Sequence, residues 1–181
     1  MRLHVDQIER LSHRIIQQLI AQHLAEIKSS ESKLSDTITG ILQDFLSTAA
    51  AIESQVHKVM EQYANQIEAG RIDTQQIYGM IRKQVAKEKK FELDPEEQIN
   101  VLSHRIHDRL YNDDLLDYTD EDRALRLIKQ TLSGTLRAED ELDQRVRDKI
   151  GSLKRSVPEG SPEWQALYQR YMDEELAKRR L

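Results

Sequence analysis

The sequence predicts an all-α protein, a tandem duplication of a three-helix unit built short, long, short around two long spine helices. Three observations point there. Apolar residues recur every three or four positions along most of the chain, the period of an amphipathic helix. Charged residues make up 33% of the 181 positions and aromatic residues 5%, with only three prolines and six glycines, a balance that suits helices better than sheets. A block of five residues, Leu11-Ser12-His13-Arg14-Ile15, returns unchanged as Leu102-Ser103-His104-Arg105-Ile106.

That block is one point in a collinear series. A spacing of 91 also relates Ile8 to Ile99, Leu19 to Leu110 and Leu24 to Leu115. After one loop the spacing becomes 90, relating Ile38 to Ile128, Leu42 to Leu132, Leu46 to Leu136, Val56 to Val146, Gly70 to Gly160 and Tyr78 to Tyr168. The expected organisation is therefore residues 1–91 as a first helical unit and 92–181 as a second, packed together as one domain.

In the first unit a helix is expected over Val5–Glu26, with Ile8, Leu11, Ile15, Leu19 and Leu24 inward. The serine-rich segment Lys28–Ser35 reads as a loop, and Ser35 or Asp36 as the cap of the first spine. That spine carries Ile38, Leu42, Phe45, Leu46, Ala49, Ile52, Val56, Met60, Tyr63 and Ile67 on one stripe. As one helix from Asp36 to Ile67 it runs roughly 50 Å at 1.5 Å per residue. Gly70 supplies a left-handed helix end, and Asp73 with Gln76 starts a third helix. Ile77, Met80, Ile81 and Val85 are its inward residues, and it closes on Lys87, Lys89 and Lys90.

The second unit opens on Asp94-Pro95-Glu96-Glu97, a cap followed by proline at the first helical position. Its first helix places Ile99, Leu102, Ile106 and Leu110 inward and stops at Asn112-Asp113-Asp114. Thr119 is the expected cap of the second spine, whose first turn is acidic. The stripe weakens at Arg137–Asp140, and continuity is expected because no glycine or proline lies between Leu136 and Ile150. Ser161-Pro162 opens a last helix with Trp164, Leu167, Tyr168 and Tyr171 on its apolar face.

Composition narrows the function classes. The absence of cysteine excludes disulfides and thiolate metal sites. The net charge of −5 divides as +1 over residues 1–90 and −6 over 91–181, which does not favour broad phosphate binding. No apolar run approaches membrane-spanning length and the start has no signal-peptide core, so a cytoplasmic protein without a membrane partner is expected.

Two further stretches carry a resemblance. Leu115-Leu116-Asp117-Tyr118-Thr119-Asp120-Glu121-Asp122-Arg123-Ala124-Leu125 resembles the acidic turn of a bacterial family catalogued as "domain of unknown function five hundred and seven". Val157-Pro158-Glu159-Gly160-Ser161-Pro162-Glu163-Trp164, continuing through Tyr171 to Lys178-Arg179, resembles that family's C-terminal signature, and Ile67–Asp73 its first-half pattern. The resemblance covers essentially the whole chain. It implies a helical fold and a bacterial cytoplasmic origin, and it brings no activity and no catalytic residues.

Residue by residue, no catalytic set and no cofactor site emerges. His13 and His104 occupy equivalent places, each followed by arginine (Arg14, Arg105), and are candidates to line one groove toward a partner. His104, His107 and Asp108 sit at i, i+3 and i+4 and are candidate metal ligands from one helix face. The copy-one positions hold Ile16 and Gln17, so this set is not part of the repeat. Lys87, Lys89, Lys90, Lys178, Arg179 and Arg180 form two basic helix ends suited to a nucleic-acid backbone or ribosomal RNA. The expectation is a non-catalytic adaptor or scaffold for a protein partner, with homodimerisation as one arrangement. A nucleic-acid-associated factor is the alternative, and a metal-dependent hydrolase the third reading.

Overall fold

In the computed structural model the described residues are 5–63, 73–153, 157 and 161–178. They form six helices: α1 (Val5–Ala21), α2 (Glu31–Gln62), α3 (Thr74–Glu88), α4 (Pro95–Asn112), α5 (Glu121–Gly151) and α6 (Pro162–Lys178). Two short strands, β1 (Ala25–Ile27) and β2 (Leu116–Tyr118), complete the set. The fold is all-α. Contacts divide the chain into two compact units, Leu3–Ser133 and Gly134–Leu181. The sequence boundary near residue 91 concerns kinship between segments, which contact density does not address.

In the Leu3–Ser133 unit one apolar cluster joins α1, α2, α4 and the start of α5. Ile8, Leu11, Ile15, Leu19, Leu34, Ile38 and Leu42 meet Leu102, Ile106, Leu110, Leu115, Ile128 and Leu132, all buried. A second cluster in the same unit packs Ile52 and Val56 of α2 against Val85 and Ala86 of α3. In the Gly134–Leu181 unit, Leu142, Val146 and Ile150 of α5 pack with Met172 of α6, and Trp164, Leu167, Tyr168 and Tyr171 flank them. Helix α5 is continuous through Ala138.

Several local expectations are corrected. The first helix stops at Ala21 rather than Glu26, because His23 adopts φ 53° and residues 25–27 become a strand. β1 pairs antiparallel with β2, setting Ala25 opposite Tyr118, Glu26 opposite Asp117 and Ile27 opposite Leu116. The first spine starts at Glu31, capped by Ser30 rather than Ser35 or Asp36, since Leu34 is buried and extends the stripe one turn back. Thr119 does not cap the second spine. The Asp120 carboxylate accepts from the Arg123 amide at 3.0 Å, and the Thr119 hydroxyl donates instead to the His23 carbonyl at 2.6 Å. Met80 points to solvent at 65% exposed, because α3 turns Tyr78, Ile81 and Val85 toward α2.

Other caps lie where the sequence puts them. The Asp73 carboxylate accepts from the Gln76 amide at 2.7 Å. Asp94 accepts from Glu96 and Glu97, with Pro95 at the first helical position. The Ser161 hydroxyl accepts from the Trp164 amide at 3.1 Å. The first spine stops at Gln62 rather than running on to Ile67, closing in a tight last turn where the Tyr63 amide bonds the Met60 carbonyl at 2.9 Å. The left-handed end expected at Gly70, the inward placement of Ile67 and the break at Pro158–Gly160 lie outside the described residues.

Candidate functional site

The candidates His13, Arg14, His104, Arg105, His107 and Asp108 lie on helices α1 and α4 of the Leu3–Ser133 unit, on either side of α2. Between α1 and α2 a depression of about 430 Å³ is lined by Glu9, His13, Glu31, Ser32, Ser35, Asp36 and Thr39. Between α2 and α4 a second, of about 280 Å³, includes Asp36, Gly40, Ile41, Asp44, Arg105 and Arg109. Asp36 lines both, and the two depressions flank the exposed strip of α2 that carries Ser32, Asp36, Gly40 and Asp44. The helical period explains the strip. Turning Leu34, Ile38 and Leu42 into the core turns Ser32, Asp36, Gly40 and Asp44 outward. Arg105 reaches across to Asp44 at 3.2 Å, and Arg109 holds Asp113 at 2.6 Å.

His13 lies on this strip and Arg14 is exposed beside it on α1. His104 lines neither depression. It is exposed on α4, with its Nδ1 2.9 Å from the Asn100 carbonyl. His13 and Arg105 thus lie on opposite margins of the strip, and His13 and His104 do not share a depression.

The candidate metal ligands are placed apart in role. His107 is 13% exposed, stacks on Tyr118 with centroids 4.2 Å apart and planes 4° from parallel, and sets Nδ1 3.0 Å from the Asp108 carboxylate. Its Nε2 is buried and has no hydrogen-bond partner among the described residues. Among the described residues no three histidine, aspartate or glutamate side chains come together as a metal-holding group. Burial, then the nearby Asp108 and Glu121 charges, push the Tyr118 hydroxyl above its ordinary range. That hydroxyl donates to the His107 carbonyl at 3.1 Å.

Of the basic helix ends, Lys87, Lys89 and Lys90 are exposed and make no ion pair among the described residues. Lys178 bonds Glu175 at 2.6 Å, while Arg179 and Arg180 lie outside the described residues.

Three arrangements escaped the sequence reading. The first is the β1–β2 junction, where Lys28 bonds both Asp114 and Asp117 at 2.8 Å. Those hydrogen bonds hold its ammonium above the usual range. The second is the His107–Tyr118 stack, whose signal was Tyr118 within the acidic turn. The third is a clasp found in each unit. Tyr78 donates to Glu53, which also accepts from Arg82 at 2.7 Å; Tyr168 donates to Asp143, which accepts from Arg147 at 2.6 Å. Both the tyrosines and the carboxylates stand 90 residues apart, so that spacing held the signal.

This architecture defines a helical protein with an open polar surface. The family described as "Protein of unknown function (DUF507)" matches residues 1–181, and the chain belongs to it. No curated protein matches the chain. No helix of the described residues is long and apolar enough to cross a membrane.

Proposed function

We propose that the chain is a non-catalytic helical adaptor that presents extended surfaces to a protein partner in the bacterial cytoplasm. The open strip along α2 carries this reading. It runs from Ser32 to Asp44, more than three helical turns, and takes side chains from α1 and α4 at its margins. A small molecule is usually held in a concave pocket that buries most of its surface. An open polar strip of this length suits contact with another chain, a second copy in a homodimer included. Crosslinking followed by native pull-down tests the reading. One protein is expected at near-stoichiometric yield, and lost with Asp36→Arg and Asp44→Arg together. A chain recovered alone after crosslinking counts against it.

The exposed Lys87, Lys89 and Lys90, without an ion pair among the described residues, favour a second reading, a nucleic-acid- or ribosome-associated factor. Salt-sensitive retention on RNA, lost when these lysines and Lys178, Arg179 and Arg180 are neutralised, supports it. No retention at low salt ends it.

We also infer that residues 1–91 and 92–181 are copies of one unit. β1 and β2 stand 91 residues apart, as do the left-handed His23 and Asp114. Ser12 and Ser103, both buried, each donate to the carbonyl four residues back. The ladder pairs the equivalent segments with each other about the Glu26–Asp117 pair, the pattern of a two-fold contact.

A further inference from the structure

Helix α4 buries one seam and leaves another in water. Its inward seam is Ile99, Leu102, Ile106 and Leu110. On the other side Glu97, Val101, His104, Asp108 and Tyr111 follow each other at spacings of four, three, four and three, and all five are exposed. That spacing lines residues along one face of a helix as in a two-helix seam. Val101 is 42% exposed and Tyr111 50%, and with Met80 they are the exposed large apolar residues among those described. The equivalent seam of α1 lacks this character, with Arg10 in place of Val101 and Gln17 in place of Asp108.

Tyr111 rests on a fixed base. Its ring lies 6.4 Å from that of Tyr118, which is itself stacked on His107. An aromatic side chain already held in position loses little freedom when a partner covers it. The seam is also negative. Glu97 and Asp108 lie on it, while the neighbouring cations Arg105 and Arg109 are paired with Asp44 and Asp113. Lys129 at its edge is held on the Asn100 side-chain carbonyl at 3.1 Å, about two turns of helix away from Asp108. Lys28, the cation of the adjoining strand junction, is held by Asp114 and Asp117.

We propose that this seam is the docking face for an amphipathic helix of a protein partner that carries lysine or arginine between its apolar residues. The proposal rests on the adaptor reading and names the class of partner. Val101 and Tyr111 stand ten residues apart, about 15 Å along the axis, so they act as two apolar knobs about three turns apart. A cation between them meets Asp108, and one over Tyr111 gains the attraction of its ring face. The seam borders the α2 strip at Arg105, so one partner can cover both.

The test uses the full chain and two labelled helical peptides of one apolar pattern, leucine with lysine and leucine with glutamate, followed by fluorescence anisotropy. The lysine peptide is expected to bind at least tenfold more tightly than the glutamate peptide. Asp108→Lys, or Val101→Ser with Tyr111→Ser, is expected to weaken it at least tenfold, with the helical circular dichroism unchanged. Met80→Ser, on α3, leaves binding unaltered. Equal binding of the two peptides, or binding indifferent to these changes, overturns the proposal.

A photo-reactive phenylalanine analogue in place of His104, compared with one in place of Gln43 on α2, separates this from the broader reading. A protein captured at 104 and lost with Asp108→Lys supports the seam. Capture at 43 alone sinks the seam and leaves the adaptor. Capture at neither position sinks both.

Discussion

Ile15 and Ile106 stand 91 residues apart and are both fully buried in the main cluster of the Leu3–Ser133 unit. Truncating either to alanine removes three carbons, worth about 2.4 kcal/mol at roughly 0.8 kcal/mol each. A residual cavity of roughly 50 Å³ adds about 1 kcal/mol at 24 cal/mol per Å³. Each substitution is thus expected to destabilise by about 3–4 kcal/mol, inside the usual range for such changes. In urea, with a slope of about 1–3 kcal/mol/M, the midpoint falls by about 1–4 M. Helical circular dichroism follows this loss. Trp164, the one tryptophan, sits in the Gly134–Leu181 unit and reports on that unit by fluorescence. Because both isoleucines belong to one cluster, each variant shifts the same dichroic transition. Two resolved dichroic transitions, one moved by Ile15→Ala alone and the other by Ile106→Ala alone, would refute the shared core. A loss below about 1 kcal/mol from either variant would refute the packing itself.

Other changes test single features. Gly40→Ala is expected to stabilise α2 by about 0.5–1 kcal/mol, since an added Cβ there meets nothing within 4 Å and alanine favours the helix; thermal melting decides it, and a lowered Tm contradicts the open geometry. Asp94→Ala removes the acceptor shared by the Glu96 and Glu97 amides and is expected to lose about 1 kcal/mol in urea denaturation; no loss would mean water replaces the cap. Burial pushes the Glu53 carboxyl up, but hydrogen bonds from Tyr78 and Arg82 outweigh it, and its pKa lies below the ordinary 4.5. A depressed carboxylate stabilises above its unfolded pKa, so the advantage of wild type over Glu53→Gln is present at pH 7 and fades as pH falls from 4.5 through the lower folded value. With Glu53 37% exposed, that advantage is expected below about 1 kcal/mol. An advantage that grows toward low pH contradicts the clasp.

Helical periodicity was legible because each spine repeats the same test of burial over eight or nine turns. One misplaced residue does not erase such a stripe, as the continuity of α5 through Ala138 shows. The strands were not legible by that means. Three residues give too little alternation to outweigh a helical stripe that Leu24 seemed to continue, and their partners lie 91 residues away. The cap errors share a cause. Ser30, Ser35 and Asp36 have equal chemistry, and burial of Leu34 chooses among them. Thr119 and Asp120 are both good caps, but the hydroxyl of Thr119 is drawn to the His23 carbonyl by the ladder beside it.

Spacing alone marked candidate ligands without saying where the helix turns them. His104, His107 and Asp108 do share a helix neighbourhood, yet α4 must put Ile106 and Leu110 into the core, and that rotation sends His107 against Tyr118 and His104 into water. The same rotation exposes Val101 and Tyr111. A helix with one apolar seam needs one neighbour, and a helix with a second, half-apolar seam has surface left over after folding is complete. Burying Val101 and Tyr111 by folding would require turning Leu102 and Ile106 outward, which loses more apolar contact than it gains. Their exposure is thus fixed by the core.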